Sequence, residues 1–300
     1  MNAISIRHLS KSYGSFEAVR DVTIDIPKGC VFGLLGPNGS GKTTTFKCLL
    51  GLARPTSGDV LFDGTPLSPD RFERMAYVPE RSALYECMRV RDFLETQRRF
   101  YTHYDAARAK ELLDVFGLDP GKRVRSMSKG MRTALQVVLA FSIRPDILVL
   151  DEPTSGLDPV NQRVVLNLII DASATGTTVL FSSHQIGQVE RAAERVAVLQ
   201  SGSIVLSGAV DDLKDQQKIV EGIFPDETYA VDTFAADPRI ARVDKSGRIL
   251  RLTVRDGADE IASRVTAMNA IAVRVVDLNL EDMFLNAVGA SNTADVLEHV

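Results

Sequence analysis

The segment Gly36–Thr43, with the sequence GPNGSGKT, constrains the fold of this chain more than any other part of it. It follows the apolar run Cys30–Leu35 and precedes a stretch of helical character that extends to about Leu50. The segment matches the phosphate-binding loop at every fixed position, in the strand–loop–helix context that this pattern requires. Backbone N–H groups of such a loop, together with the helix N-terminus, face the anion. The sequence therefore predicts an α/β fold with a phosphate site at the end of a buried strand.

The same segment predicts contacts with a nucleoside triphosphate. Lys42 is expected to reach the β- and γ-phosphates, and Thr43 is expected to ligate Mg²⁺. The loop glycines allow successive N–H groups to point at phosphate oxygens. The residues expected to bind ATP in this segment are Gly36, Pro37, Asn38, Gly39, Ser40, Gly41, Lys42, Thr43 and Thr44.

A second apolar strand carries acidic residues at its end. Ile147–Leu150 is followed by Asp151 and Glu152. An acidic residue that ends a buried strand beside a phosphate loop can hold Mg²⁺, which makes Asp151 the predicted metal ligand. Glu152 is then free to activate the attacking water as a general base. His184 follows another strand; it is either an ordinary structural histidine or, at the ligand-binding edge of a parallel sheet, a contact to the γ-phosphate.

Strands and helices alternate over much of the chain, which favours a largely parallel sheet with helices on both faces. Two amphipathic helices are predicted between Val90 and Phe116, and Ser128 stands where an N-cap is expected. Pro159 suits the first turn of a further helix. A small α+β unit is predicted in the tail, with strands at Thr228–Val231, Ile249–Val254 and Val273–Val276 and a helix near Ala258–Met268.

The balance of charge changes along the chain. Residues 1–210 carry 25 basic and 22 acidic side chains, whereas residues 211–300 carry 10 and 17, which predicts a separate acidic module. Residues 81–132 hold 12 basic and 7 acidic side chains. That excess is typical of a solvated helical surface, or of a face turned toward anionic lipid or a membrane partner. Because the net charge of the chain is −4, nucleic acid is not an expected partner.

The sequence contains no run of 18 or more apolar residues and no visible signal peptide. It therefore predicts neither a membrane span nor secretion. Cys30, Cys48 and Cys87 lack CxxC spacing and are expected to be reduced thiols in a cytosolic protein.

Taken in order along residues 1–210, the motifs resemble those of the ATP-binding-cassette family. The phosphate loop and the acidic strand are shared with many nucleotide-hydrolysing proteins, so the specific part of the resemblance is the signature, D-loop and histidine in this order. The matching segments are Tyr13 (an aromatic that stacks on adenine, or else a half-buried strand-end tyrosine), Gly36–Thr43 (Walker A), Ser126–Met131 (the place of the signature LSGGQ), Leu148–Glu152 (Walker B), Ser155–Asp158 (D-loop) and His184 (switch histidine).

Two cassettes of this family pack head to tail. The resemblance implies that Ser128 and Gly130 of one chain touch the γ-phosphate held by the other, and that Asp158 also belongs to the nucleotide site. The signature departs from the family at two positions, Lys129 for the first glycine and Met131 for glutamine. A cation beside a triphosphate is electrostatically tolerable, so function is expected to survive.

A third departure concerns the metal site. Glu80 stands where the family has a glutamine, and it is a further candidate ligand for Mg²⁺. The dipeptide PE at this place and the sequence SKGM in the signature resemble a subset of prokaryotic export-type cassettes. Leu278–Leu285 resembles a segment that closes the accessory region of multidrug, antibiotic and lipid-like exporters, although a terminal helix packed on its own domain explains it equally well.

The resemblance implies an architecture and a set of partners. The expected fold is a P-loop NTPase core with an antiparallel β subdomain and a helical subdomain at about 88–140, all within a nucleotide-binding domain at 1–212, followed by a small α+β domain at 213–300. The expected function is ATP hydrolysis that powers export through a separate membrane permease, gripped by residues 80–91 and 90–125. A second cassette is also expected, and the location is the inner face of the cell membrane.

Two other classes of function remain open at this point. One is a soluble cassette ATPase that acts on ribosomes or nucleic acid, which is disfavoured because the stretch between Thr43 and Ser128 holds no sustained heptads. The other is a phosphate-loop kinase, which would leave Ser128–Met131 without a role and would transfer phosphate to an acceptor instead of releasing it.

Overall fold

A computed structural model describes residues 1–289 of the chain except 216, 228 and 230. The residues group into two compact units, one over Met1–Ser207 and a second that begins at Gly208. Three sheets are present, of six, four and four strands. The six-stranded sheet is largely parallel and the others are antiparallel, which is the α/β architecture predicted from the sequence.

The strands follow the chain in an order that interleaves with the helices. They are β1 (Asn2–Tyr13), β2 (Phe16–Pro27), β3 (Val31–Leu35), β4 (Ser57–Phe62), β5 (Thr65–Pro66), β6 (Met75–Val78), β7 (Ile147–Asp151), β8 (Thr178–Ser183), β9 (Arg195–Gln200), β10 (Ser203–Ala209), β11 (Lys218–Ile223), β12 (Ile240–Ser246), β13 (Ile249–Val254) and β14 (Ala272–Asp277). The helices are α1 (Lys42–Leu49), α2 (Pro69–Phe72), α3 (Val90–Phe100), α4 (Ala106–Val115), α5 (Lys129–Ser142), α6 (Pro159–Ala174), α7 (Ile186–Ala192), α8 (Val210–Asp215), α9 (Asp232–Ala235), α10 (Ala258–Ala267) and α11 (Leu280–Gly289). Within the described part of the chain, no helix is long and apolar enough to cross a membrane.

The six-stranded sheet has the order β10-β9-β3-β8-β7-β6. Strand β3 lies between β9 and β8 and pairs with both in parallel, and all five of its residues are buried. Strand β7 is buried in the same way between β6 and β8. Strands covered on both faces need a continuous apolar sequence, which explains why the runs VFGLL and ILVL lack the alternation of an exposed sheet.

Parallel pairing brings the carboxyl ends of these strands to one edge. Leu35 at the end of β3 pairs with Ser183 of β8, and Asp151 at the end of β7 pairs with Ser182. Ligands of open α/β sheets bind at this edge, beyond the carboxyl ends of the strands. The phosphate loop follows Leu35, so the fold brings it near Asp151 and Glu152 at the carboxyl end of β7.

The antiparallel sheet of the first unit has the order β2-β1-β4-β5. Its inward side chains, among them Ile6 and Phe62, share one apolar core with Phe46 of α1 and Leu34 of β3. Because this core spans both sheets and α1, it fixes the helix that starts at Lys42 against the rest of the unit.

Helices α3, α4 and α5 lie between β6 and β7 along the chain, with the break between α3 and α4 as predicted. Ser128 caps α5 by accepting a hydrogen bond from the Met131 backbone N–H at 3.2 Å, which confirms the predicted N-cap. Asp158 caps α6 in the same way, ahead of Pro159. These short-range patterns are local and were readable from the sequence.

The second unit is an antiparallel sheet of order β12-β13-β11-β14, with α10 packed against β11 and β14. Its core contains Val220, Leu252, Ile261 and Val265. Strands β11 and β12 pair with the predicted β13 on its two sides and were not predicted from the sequence.

One predicted strand differs from the structure. Two residues of the stretch Thr228–Val231, at 228 and 230, lie outside the described residues; Tyr229 and Val231 belong to no strand. The Tyr229 ring stacks on Phe224 with the ring centroids 4.0 Å apart, so its apolar character serves the core by stacking and not by strand pairing.

Candidate active site

The phosphate loop bends sharply between β3 and α1, and two of its glycines are required by the space around them. Gly36 has a φ of 156° and Gly41 a φ of 110°, a region that side-chain-bearing residues rarely adopt. A β-carbon at Gly36 would collide with the Leu199 carbonyl oxygen, and one at Gly41 with the Ala18 carbonyl oxygen. The loop can therefore take this shape only with glycine at both positions.

The side chain of Lys42 is buried beneath this loop. Its Nζ donates hydrogen bonds to the carbonyl oxygens of Gly36 at 2.7 Å and Pro37 at 3.2 Å. Burial lowers the pKa of Lys42, and the carboxylates of Glu152, Asp151 and Glu80 oppose that shift. The ammonium thus lies where the loop closes, and the nearby carboxylates favour its charged form, which is the form that binds phosphate.

Thr43, Asp151 and Ser182 form a chain of hydrogen bonds. The Thr43 hydroxyl donates to Asp151 Oδ2 at 2.6 Å, and the Ser182 hydroxyl donates to Asp151 Oδ1, also at 2.6 Å. Ser182 Oγ also accepts the backbone N–H of Glu152 at 3.0 Å. A hydroxyl and a carboxylate in contact are hard oxygen donors of the kind that Mg²⁺ takes, so these two predicted ligands are brought together.

Glu152 is buried, with its carboxylate between two other groups of the site. His184 Nδ1 lies 2.8 Å from Glu152 Oε2, and Lys42 Nζ lies 3.8 Å from Oε1. Burial raises the pKa of Glu152, although His184 and Lys42 act against the shift. A raised pKa makes the carboxylate a stronger base, which suits proton transfer near neutral pH. The Glu152 backbone has a φ of 52°, a sparsely populated conformation for such a residue that is often found at functional sites.

Lys42, Thr43, Asp151 and Glu152 line one cavity of about 210 Å³ at the sheet edge, whereas Ser182 and His184 do not. The rest of the lining is Phe16, Ala18, residues 38–41, Thr44 and Glu80. Ser40 Oγ and Glu152 Oε1 are buried and have no hydrogen-bond partner among the described residues. Orphaned polar atoms of this kind are costly unless a ligand or water satisfies them. The cavity therefore suits a polyphosphate with an oxygen-ligated cation.

Of the two remaining predicted contacts, Glu80 lines the cavity and Tyr13 does not. Glu80 lies in the lining, and its role as a metal ligand stays a prediction. Tyr13 is not among the lining residues; its ring is about half exposed, with Lys11 Nζ 4.8 Å from the ring centroid. Its strand partner Phe16 lines the cavity. Stacking of Tyr13 on adenine stays a prediction.

Ser128, Gly130 and Asp158 do not line this cavity. Ser128 and Asp158 stand at the N-termini of α5 and α6, and both side chains are exposed. Backbone N–H groups of Asn161 and Val160 bond the Asp158 carboxylate and lower its pKa. Within one chain, the site is therefore built from the phosphate loop and the two acidic residues, without the signature.

Comparison with known proteins decides the family. The sequence profile described as "ABC transporter" matches residues 19–155. The ABC transporter ATP-binding protein YtrB of Bacillus subtilis (strain 168) is 30% identical over 289 residues, which cover 95% of this chain and 98% of that protein. The chain belongs to the ABC transporter family of ATP-binding proteins. The resemblance predicted from the motifs is confirmed, and membership implies ATPase activity.

Two further relatives support this assignment. The Nod factor export ATP-binding protein I of Cupriavidus pinatubonensis (strain JMP 134 / LMG 1197) is 32% identical over 299 residues, covering 95% of this chain and 90% of that protein. A solved structure described as the ATP-binding subunit of an ABC transporter is 30% identical, with a TM-score of 0.66, and covers 71% of this chain and 92% of its own. The P-loop NTPase fold predicted for this ABC protein is thereby confirmed.

A buried hydrogen-bond network that no sequence motif predicted lies behind the site of this ABC ATPase. Gln188 of α7 accepts the Thr154 hydroxyl at 2.7 Å and the Ser183 hydroxyl at 3.4 Å. It therefore joins the loop after Glu152 to the strand end before His184. No motif marks Gln188 or Ser182, because their importance depends on which loops the sheet places side by side.

Ser182 offers a test of the positioning of the acidic pair. We expect Ser182→Ala to lower kcat for ATP roughly 10-fold, because one Asp151 oxygen and the Glu152 N–H lose their partner, a cost of about 1–3 kcal/mol. ATP affinity should change little, since Ser182 does not line the cavity. Steady-state phosphate release measures the effect, with the exposed strand serine in Ser57→Ala as the control. Equal kcat in both variants would show that Ser182 does not position Asp151 and Glu152 for hydrolysis.

Proposed function

We propose that this protein hydrolyses ATP with Glu152 as the general base, and that hydrolysis powers export of a substrate through a separate membrane permease. The observation that carries the proposal is the cavity in which Lys42, the Thr43–Asp151 pair and the Glu152 carboxylate converge, with Glu152 Oε1 free of a hydrogen-bond partner in the described part of the chain. Such a set supports nucleotide binding and water activation in one place.

The residues of this chain divide the chemistry between them. Backbone N–H groups of the phosphate loop and the Lys42 ammonium bind the β- and γ-phosphates. Thr43 and Asp151 would hold Mg²⁺, which when bound neutralises charge on the phosphate oxygens. Glu152 orients a water and accepts its proton as the oxygen attacks the γ-phosphorus, and the products are ADP and phosphate. His184, hydrogen-bonded to Glu152, orients that carboxylate and contacts the γ-phosphate.

A second cassette is part of the proposal. Ser128, Gly130 and Asp158 lie outside the nucleotide cavity of their own chain, while Ser128 and Asp158 are exposed at helix N-termini. Helix N-termini favour anions, so Ser128 and Gly130 suit the γ-phosphate held by a partner chain. ATP would then hold two cassettes together, and hydrolysis would release them.

A groove of about 390 Å³ near Glu80 is the proposed contact with the permease. Its lining is largely apolar, and it includes the exposed residues Leu52, Phe72 and Ala83. Leu84 and Tyr101 also line it and are half-buried. An exposed apolar groove suits a protein partner. The permease would place this ATPase at the cytoplasmic face of the membrane, and the relative named for Nod factor export supports the outward direction of transport.

The permease contact is tested by co-purification. We expect tagged protein from detergent-solubilised native membranes to recover a multi-span protein in stoichiometric amount, identified by mass spectrometry. Leu52→Asp should abolish that recovery, because a charge in the groove must be desolvated on docking. Ile271→Asp is the matched control, since Leu52 is 65% exposed and Ile271 62%. Recovery with ribosomes or nucleic acid instead would contradict the proposal.

A further inference from the structure

The N-terminal part of α5 contacts the D-loop, residues 155–158, of its own chain. Lys129, the first residue of α5, donates a hydrogen bond from Nζ to Ser155 Oγ at 2.8 Å. One turn later, the Thr133 hydroxyl donates to the Ser155 carbonyl oxygen at 3.1 Å. Between them, a β-carbon at Gly130 would collide with the Gly156 carbonyl oxygen. The signature helix and the D-loop are therefore joined by two hydrogen bonds and a close backbone approach.

The contact with Ser155 lies three residues after Glu152, the proposed general base. The Ser155 N–H donates to the Glu152 carbonyl oxygen at 3.0 Å, which closes a tight turn between the two residues. Thr154, inside that turn, is tied to buried Gln188. Since the Glu152 backbone has an unfavourable positive φ, its conformation depends on contacts that hold the turn. Ser155 is the place where α5 supplies such contacts.

The aliphatic part of the Lys129 side chain also contacts the D-loop. The side chain passes over Gly156, where a β-carbon would meet the Lys129 side chain at 3.0–3.4 Å. Its ammonium does not line the nucleotide cavity of its own chain. Lys129 thus acts on the turn after Glu152 from outside the site, through Ser155.

We propose that Lys129 is a positioning residue for ATP hydrolysis, which fixes the turn that carries Glu152 by binding Ser155. This rests on the proposed role of Glu152 as the base. The cation at position 129 then controls the turnover rate and not the affinity for ATP. Lys129 lies between Ser128 and Gly130, which are proposed to contact the second cassette. It therefore connects that surface to Glu152 of its own chain.

The test measures steady-state phosphate release and ATP affinity for the purified full chain. We expect Lys129→Met and Ser155→Ala each to lower kcat about 10-fold, in line with the loss of a hydrogen bond to a charged group. KM and the dissociation constant for ATP should stay within about twofold, since neither side chain lines the cavity. The double variant should be no slower than either single variant, because both remove one interaction. Lys129→Arg, which keeps the cation, should restore most of the rate.

Lys110→Met, which removes an exposed lysine on α4, serves as the control for charge and folding. Two results would overturn the proposal. Unchanged kcat in Ser155→Ala beside a slow Lys129→Met excludes action through Ser155. A weaker ATP affinity in Lys129→Met with unchanged kcat indicates that the ammonium acts on the nucleotide instead. The role of Glu152 as the base is tested separately. Full turnover in Glu152→Gln would contradict that role, whatever the result for the Lys129 variants.

Discussion

Replacing Glu152 with glutamine is expected to lower kcat for ATP by a factor on the order of 10²–10⁴, the usual contribution of a general base. An amide has the same shape as the carboxylate but accepts no proton from water. Binding of ATP should persist, because the phosphate loop and Lys42 are unchanged. The measurement is steady-state phosphate release beside equilibrium binding of ATP on the same preparation.

The same variant carries an internal control for folding. Burial raises the pKa of Glu152, so the ionised carboxylate costs free energy in the folded state at neutral pH. Glutamine removes that charge, and the thermal midpoint of nucleotide-free Glu152→Gln should be equal to or above that of the parent protein. Loss of activity with a lowered midpoint would point to damaged folding. Undiminished turnover in a folded variant would assign the base to another residue.

Replacing Lys42 with methionine is expected to weaken ATP binding on the order of 100-fold or more. A hydrogen bond to a charged group contributes about 1.5–3 kcal/mol, and each 1.4 kcal/mol is tenfold in affinity. Lys42 also offsets the carboxylates of Asp151, Glu152 and Glu80, which would repel a triphosphate once the ammonium is gone. Methionine keeps most of the buried stem, so packing is preserved.

Lys47→Met on the same helix is the matched control, because Lys47 is exposed and lies outside the cavity lining. Isothermal titration with ATP measures both variants, and circular dichroism checks that α1 is intact. Affinity within threefold of the parent in a folded Lys42→Met protein would contradict the phosphate-binding role. Hydrolysis should fall in parallel with binding.

Much of the site could be predicted because its rules are local. Phosphate loops need glycine where the backbone adopts positive φ. Gly36, Lys42 and Thr43 lie within one short loop, so their spacing in the sequence fixes their spacing in the structure. Capping follows the same logic, since Ser128 directly precedes its helix and accepts the N–H of Met131 three positions later. Family resemblance added the order of the motifs along the chain.

The second unit was predicted less well. Strands β11 and β12 were missed, although the helix α10 and strands β13 and β14 were predicted close to their observed bounds. Glu221 in the middle of β11 interrupts an apolar run; in the structure it is buried and paired with Arg251 and Arg274 from the two neighbouring strands. A charge that is neutralised only across strands gives no strand signal in the sequence of its own segment.

The sequence by itself determined the phosphate loop, the acidic pair after β7, the helix starts and the family, because each depends on residues close together in the chain. Only the tertiary structure decided that Ser182 orients Asp151, that Phe16 lines the cavity and that Lys129 binds Ser155. The two hydrogen bonds among these join residues 31 and 26 positions apart in the chain, Ser182 with Asp151 and Lys129 with Ser155. The contact between Ser182 and Asp151 exists because parallel pairing brings strand ends to one edge, and that pairing is a property of the whole sheet.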